Sequence, residues 1–171
     1  KKAGYGSLYD YVRNRPVVSV QELLPVFDYL VDDSTNLLRS YYNNYPRNVF
    51  IENLYNTSST LFQSGVRITN IVGDIGPTST IQALRLVDLP DSPLWEHGYP
   101  EGFIENQGDR GLIYGQGDQT VPEISGTSIS IDVNRVNGLH NRLPGVASDI
   151  VFTKLTNRVP ATIIHNFPNI D

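Results

Sequence analysis

The sequence contains no cysteine, and this absence removes several kinds of chemistry at once. Without cysteine there is no disulfide framework, no thiolate metal site and no thiol nucleophile. Methionine is absent too and the chain begins Lys1-Lys2, so we expect a processed chain or part of a longer polypeptide. The compartment stays open, secretion included, because cysteine usage gives no redox signal.

Long apolar runs and clusters of positive charge are also missing. No window approaches the roughly 20 apolar residues that a membrane-spanning helix needs, and no charged-then-apolar pattern indicates a signal peptide. The 13 Lys and Arg residues are outnumbered by 18 Asp and Glu, giving a net charge of -5, and they are scattered along the chain. Nucleic-acid binding requires a concentrated basic surface. We therefore expect a soluble chain with no nucleic-acid partner and no transmembrane segment.

The chain does have the composition of a folded domain, with 39% hydrophobic and 10% aromatic residues. Ser19 and Glu22 have the spacing of a capping box, in which each side chain accepts a hydrogen bond from the other residue's amide. A helix should begin there, and Pro25 should bend it because proline lacks an amide donor. Leu24 and Phe27 belong to an apolar group too large for so short a helix to bury.

Two further helices are predicted before residue 65. After a polar turn at 32–34, the segment 37–42 carries apolar residues at helical spacing. Pro46 suits the first turn of the next helix, whose apolar face covers 50–62 and which Gly65 ends. The first third of the chain is therefore expected to be helical.

Strands are predicted from residue 66 onward. The segment 66–72 becomes continuously apolar and opens into Gly73, as expected of a buried strand that ends in a glycine loop. Residues 74–110 are rich in Asp, Gly and Pro, and we interpret them as an excursion from the sheet. Further strands are predicted at 81–89, 111–115, 128–133 and 161–164, and a helix at 147–155. This alternation indicates the α/β class.

Asp118 lies in the most distinctive segment, Gly115-Gln116-Gly117-Asp118-Gln119-Thr120-Val121-Pro122, directly after an apolar run. Two glycines allow a tight turn that presents Asp118 at a strand end. A carboxylate held in this way can orient an imidazole and stabilise its charged form. The alternative is an ordinary turn, since Gly-Asp pairs favour turns.

His140 follows one more predicted strand, in a loop of small and polar residues that leaves both ring nitrogens accessible. It is the candidate general base. By residue type alone, His97 and His165 are alternatives, and a single loop histidine can also be a plain surface residue.

Five segments in this order resemble the second half of α/β-hydrolases similar to lecithin:cholesterol acyltransferase and related bacterial lipases. They are SVQELLPVFDYL (19–30), NVFIENL (48–54), ITNIVG (68–73), GLIYGQGDQTVPEIS (111–125) and LHNRLPGVASDIVFTKLT (139–156). The resemblance implies a helical cap or lid region at 1–65 and the C-terminal part of a hydrolase core at 66–171, with the excursion at 74–110. It implies that Asp118 is the catalytic acid and His140 the catalytic base. Leu24 and Phe27 would then bind an acyl chain, unless they are plain core residues.

Two features depart from the family's pattern. Gln119 stands where the family has a second glycine, and a residue with a Cβ tolerates positive φ less well. The nucleophile elbow Gly-x-Ser-x-Gly, which precedes the acid in this fold, is absent. Ser128 lies after Asp118 and inside a predicted strand, whereas Ser64 lies before Asp118 but at a helix end and without the first glycine. Neither is a credible nucleophile, and none is expected in this chain.

We therefore expect a partial α/β-hydrolase fold that lacks the nucleophile-elbow half. The expected partners are the N-terminal half of the same enzyme, covalently joined or as a separate chain, and a lipid or ester substrate. No cofactor is implied. A metal site would have to gather Asp74, Asp91, Asp109 and Asp118, which match no calcium-loop spacing, and no metal is expected. The alternative function is a non-catalytic binding or structural module derived from a hydrolase.

Overall fold

The computed structural model describes residues 4–6, 11, 14–15, 17–41, 47–89, 97–129 and 131–161. Its helices are α1 (Val18–Gln21), α2 (Val49–Gln63), α3 (Glu123–Gly126), α4 (Leu143–Val146) and α5 (Ser148–Thr156). Its strands are β1 (Leu30–Asp32), β2 (Leu38–Arg39), β3 (Thr69–Gly73), β4 (Thr80–Val87), β5 (Tyr99–Pro100), β6 (Leu112–Gly115) and β7 (Asp132–Val136). Parallel and antiparallel pairs both occur, so the chain is of the α/β class with a mixed sheet.

Helix α2 is the longest helix, and it was predicted from its apolar spacing. The buried Asn48 caps its N-terminus, where the side chain accepts a hydrogen bond from the Ile51 amide (3.1 Å). Gly65 follows its C-terminus at φ +78°, a conformation that glycine adopts without the penalty of a Cβ. The same Asn48 side chain donates to the carbonyl oxygens of Glu22 (2.7 Å) and Leu24 (2.9 Å). Asn48 therefore joins the segment after α1 to the start of α2.

Strand β4 is the centre of the larger sheet. It pairs with β1 in parallel and with β5 and β6 in antiparallel, and β2 adds to the far side of β1. Leu30 of β1 and Leu86 of β4 are buried together, with Tyr29 and Leu84 packed against them. The segment 74–110, predicted to be an excursion, therefore contributes the central strand of this sheet, which packs against the first part of the chain.

The smaller sheet consists of β3 and β7, which pair in parallel from Thr69 opposite Asp132 to Gly73 opposite Val136. Because the strands are parallel, both carboxyl ends lie at the same edge. Helix α3 packs on β3, where a Cβ at Gly126 would lie 3.1 Å from a methyl carbon of Val72. The loops that follow β3 and β7 are thus brought side by side.

Two predictions for the first third of the chain are wrong. The helix predicted at 37–42 contains strand β2, which pairs with β1 through Leu30 opposite Arg39. Helix α1 begins after Val17 and no side chain caps it, so the expected capping box is not formed. The region 1–65 is thus not purely helical, since it holds two strands that extend the sheet of β4. The division of the chain at residue 65 stays a prediction.

The other predicted strands and helices lie closer to their observed positions. Strands β3, β4 and β6 and helix α5 lie where strands and a helix were predicted. The strand predicted at 128–133 is found at Asp132–Val136, because pairing with β3 fixes its register. Pro46 and residues 162–164 of the last predicted strand lie outside the described residues.

Candidate functional site

Asp118 lies in a tight turn that continues from β6. Its amide donates to the Val121 carbonyl (3.3 Å), and Gly117 and Pro122 pair as an isolated antiparallel bridge. A Cβ at Gly117 would collide with the Val121 carbonyl oxygen, so only glycine fits this turn. The backbone therefore folds back on itself and presents the Asp118 side chain inward, where it is 3% exposed.

Each oxygen of the Asp118 carboxylate has its own partners. Oδ1 accepts hydrogen bonds from the amides of Thr120 (3.0 Å) and Val121 (2.7 Å). Oδ2 lies 2.8 Å from Nδ1 of His140. Burial raises the pKa of Asp118, but the hydrogen bonds from Val121, His140 and Thr120 outweigh burial, so the pKa lies below its ordinary value. Asp118 is therefore ionised at neutral pH.

His140 follows β7 and opens a single 3-10 turn, His140–Arg142. Its amide donates to the Asp118 carbonyl (3.0 Å), so backbone and side chain both join the two loops. An ionised carboxylate can only accept, so Nδ1 carries the proton in the neutral imidazole and Nε2 has a free lone pair. The side chain is 51% exposed, and within the described part of the chain Nε2 makes no hydrogen bond. This arrangement suits a general base.

Two glycines allow the loops to approach each other. A Cβ at Gly73, the last residue of β3, would lie 2.7 Å from the Gly138 carbonyl oxygen and 2.8 Å from Cβ of Asp118. A Cβ at Gly138 would lie 2.6 Å from a methyl carbon of Val146. A side chain at either position would collide with these neighbours, so glycine at the end of β3 and glycine in the loop after β7 allow the acid and base loops to pack together.

Gln119 adopts φ +75°, in the left-handed region. This region is unfavourable for a residue with a Cβ, so Gln119 is strained at a position where the resemblance implies glycine. This conformation turns the chain so that the next two amides point back at Oδ1 of Asp118. The carboxylate is held by the loop that carries it.

The predicted meeting of Asp118 and His140 is confirmed as geometry, while their catalytic roles stay predictions. His97 lies elsewhere, beside an apolar depression of about 330 Å³, and its carbonyl accepts from Arg39 (2.7 Å). His165 lies outside the described residues. The sequence placed Gly73 at the end of a buried strand, but its close approach to Gly138 and Asp118 was not predicted. The amides of Thr120 and Val121 were also missed, although Asp side chains commonly accept a hydrogen bond from the amide two residues later.

The proposed acyl-binding residues give a mixed result. Leu24 and Phe27 are half-buried, Leu23 is 83% exposed, and Leu30 is buried in β1. The group is therefore neither wholly core nor wholly open surface. A role for Leu24 and Phe27 in substrate binding stays a prediction.

The two serines closest to a nucleophile motif are engaged elsewhere. Ser128 Oγ lies 2.5 Å from the Tyr55 hydroxyl, and Ser64 Oγ donates to the Leu61 carbonyl (2.6 Å). Among the residues whose structure is described, no serine hydroxyl bonds to His140. The same residues include no group of three His, Asp or Glu side chains able to hold a metal ion.

Comparison with models of protein families, with curated proteins and with solved structures finds no match for this chain. In the described residues, no helix has the length and apolar character needed to cross a membrane.

Proposed function

We propose that this chain supplies the acid and base of a catalytic triad, Asp118 and His140, to a serine nucleophile contributed by another segment. The reaction class is ester hydrolysis or acyl transfer, as in lipases. The observation that carries the proposal is the 2.8 Å contact between Asp118 Oδ2 and His140 Nδ1, with Nε2 left open. We also propose that the chain has a partial α/β-hydrolase fold.

The roles follow from the proton positions. Nε2 of His140 takes the proton of the serine hydroxyl as the serine oxygen attacks the ester carbonyl. The imidazolium gains stability from the carboxylate of Asp118, which stays ionised. When the tetrahedral intermediate collapses, Nε2 returns the proton to the leaving alkoxide and an acyl-serine remains. Water or an acceptor alcohol then attacks the acyl-serine, and His140 accepts its proton. Nε2 returns that proton to the serine oxygen as the second intermediate collapses, which releases the acyl product and regenerates the free serine and the neutral imidazole.

The segment that bears the serine would also have to provide an oxyanion hole, because hydrolases place one of its amides next to the nucleophile. We propose that this partner is the N-terminal half of the same enzyme, joined covalently or as a separate chain. The substrate would be a lipid or another ester, with Leu24 and Phe27 contacting its acyl chain. The proposed reaction requires no cofactor.

Burying a carboxylate is costly, which supports a role for the pair. Asp118 is 3% exposed, and its partner His140 is half-exposed with its second nitrogen open. A structural ion pair would gain most by satisfying every polar atom, whereas a base needs one nitrogen free. A non-catalytic module derived from a hydrolase is the alternative, and it predicts no reactive serine.

The test uses the natural protein with whatever segments accompany this chain. A fluorophosphonate probe reacts only with an activated serine, and mass spectrometry locates the labelled residue. We expect one labelled serine outside this chain, strongly reduced labelling in His140→Ala and Asp118→Asn, and unchanged labelling in His97→Ala. Full labelling of His140→Ala would exclude His140 as the base. Absence of labelling in the unsubstituted protein would favour the non-catalytic module.

A further inference from the structure

The turn between β3 and β4 contacts the acid loop, residues 115–122 around Asp118, through backbone and side-chain hydrogen bonds. The Ile75 amide donates to the Gly117 carbonyl (2.9 Å), and the Ser79 amide donates to the Gly115 carbonyl (3.1 Å). The Ser79 hydroxyl lies 2.7 Å from the Gly117 carbonyl oxygen and 2.8 Å from that of Gly76. The residues just before Asp118 are therefore bound to the turn that leads into β4.

Thr80 makes the corresponding contact on the other side of Asp118. Its hydroxyl oxygen accepts a hydrogen bond from the Gln119 amide (2.9 Å), and the residue is 3% exposed. The same oxygen would lie only 2.5 Å from a Cβ at Gly117. One buried hydroxyl thus contacts the residues immediately before and after the acid.

We propose that Thr80 is a positioning residue, whose hydroxyl holds Gln119 in its left-handed conformation and thereby fixes the Asp118 carboxylate against His140. The catalytic importance of the Thr80–Gln119 hydrogen bond rests on the proposed function, whereas its effect on the position of the Asp118 carboxylate does not. Thr80 itself touches neither Asp118's carboxylate nor His140 through any hydrogen bond in the described structure.

Gln119 connects Thr80 to the loop that orients the Asp118 carboxylate. Its φ of +75° is unfavourable for a residue with a Cβ, so this conformation needs an external constraint. The bond from the Gln119 amide to Thr80 supplies such a constraint on Gln119 itself, and it is anchored because Thr80 pairs with Gly115 at the start of the β4–β6 ladder. If Gln119 relaxed, the amides of Thr120 and Val121 would turn away from Oδ1 of Asp118. The carboxylate would then lose the contacts that orient Oδ2 toward the imidazole.

Proton NMR of the natural protein reports the contact directly, through the low-field resonance of the His140 Nδ1 proton. The resonance is assigned by its loss in His140→Gln. Thr80→Val keeps the shape of the side chain and removes the acceptor, so we expect the resonance to shift upfield or exchange-broaden. Thr80→Ser keeps the hydroxyl and should retain the resonance. Thr57→Val, whose hydroxyl bonds only to carbonyls of its own helix, is the matched control and should retain it too.

A rescue variant distinguishes positioning from general stability. Glycine adopts φ +75° without strain, so Thr80→Val combined with Gln119→Gly should recover much of the resonance. If Thr80→Val does not fold, the same double variant decides, because recovery of fold and resonance is expected. An unchanged resonance in folded Thr80→Val, or no recovery in the double variant, would overturn the proposal.

The activity readout separates this inference from the proposed function. If the protein hydrolyses esters, Thr80→Val should lower kcat between about ten- and a hundredfold with little change in KM, since only orientation is lost. An unchanged kcat in an active protein would overturn the positioning role. A protein without esterase activity that still shows the NMR effect would refute the proposed function and leave the positioning of Asp118 by Thr80 supported.

Discussion

A buried carboxylate is stable only when its oxygens are satisfied, and Asp118 meets this condition with three hydrogen bonds. Two come from amides of its own loop and one from His140. Glycines at 73 and 138 make room for this arrangement, since Gly73 ends β3 and Gly138 lies in the loop after β7. The site thus depends as much on absent side chains as on the two that carry the chemistry.

The close approach at Gly73 predicts a large effect of a single methyl group. In Gly73→Ala the new Cβ would meet the Gly138 carbonyl oxygen at 2.7 Å and Cβ of Asp118 at 2.8 Å, neither of which is the end of a flexible side chain. We expect the free energy of unfolding to fall by about 1–3 kcal/mol, the usual cost of overpacking. Urea denaturation measures it.

Gly145→Ala is the control for that substitution. A Cβ at Gly145 would have no heavy atom within 4 Å, and the residue lies in α4, where alanine is favoured over glycine. Its unfolding free energy should be unchanged or slightly higher. Equal stability of Gly73→Ala and Gly145→Ala would show that the loops are not packed as closely as described.

At the scale of elements, single polar residues join segments that are distant in sequence. Asn48 bonds to the carbonyls of Glu22 and Leu24 and caps α2. Asp32 at the end of β1 accepts from Ser34, Thr35 and Arg39, which shapes the turn toward β2. These bonds fix α1 and the β1–β2 hairpin, whose own hydrogen bonds are few.

Removal of the Asn48 side chain should destabilise the chain. Asn48→Ala deletes the helix cap and leaves two carbonyls and one amide without their partner, so we expect the free energy of unfolding to fall by about 2–3 kcal/mol. Asn53→Ala, an exposed position within the same helix, should change it by less than about 0.5 kcal/mol. Thermal and urea unfolding of both variants test the difference, and equal effects would contradict the role given to Asn48.

The turn at Asp32 predicts an acid-dependent loss of stability. Hydrogen bonds from Ser34, Arg39 and Thr35 hold the pKa of Asp32 far below its ordinary value. A carboxyl whose folded pKa is lowered stabilises the fold above its unfolded pKa, about 3.9, and loses this contribution as pH falls below it. The free energy of unfolding should therefore fall less between pH 7 and pH values below about 4 for Asp32→Asn than for the unsubstituted protein. Asp33→Asn is the matched control, and an unchanged drop in Asp32→Asn would contradict the prediction.

The sequence predicts the elements whose patterns are local. Helix α2 has a long apolar repeat with Gly65 behind it, and β3 and β6 are short apolar runs that end in glycine. Strands β1 and β2 escaped prediction because two or three residues carry no period, and because β1 is held in the sheet by long-range pairing with β4, with Leu30 opposite Leu84. For the same reason the acid loop was predictable from its own residues, whereas its contacts with Gly73 and Thr80 were not.

At the scale of the whole molecule, two sheets meet at the candidate site. The parallel pair β3–β7 places Gly73 and the loop with His140 at one edge. Asp118, in the turn that continues from β6, lies at the same edge. Binding residues of α/β proteins commonly lie beyond the carboxyl ends of their parallel strands. The topology therefore supports a functional role for the Asp118–His140 pair.

The most direct test of the central claim is the turnover of a short-chain p-nitrophenyl ester by the natural protein and by its His140→Ala and His97→Ala variants. If His140 is the base of a triad, His140→Ala should lower kcat on the order of a millionfold, while His97→Ala, whose ring lies away from Asp118, stays close to the unsubstituted protein. Turnover of His140→Ala within about tenfold of the unsubstituted protein would contradict the account, because a general base alone contributes more than that.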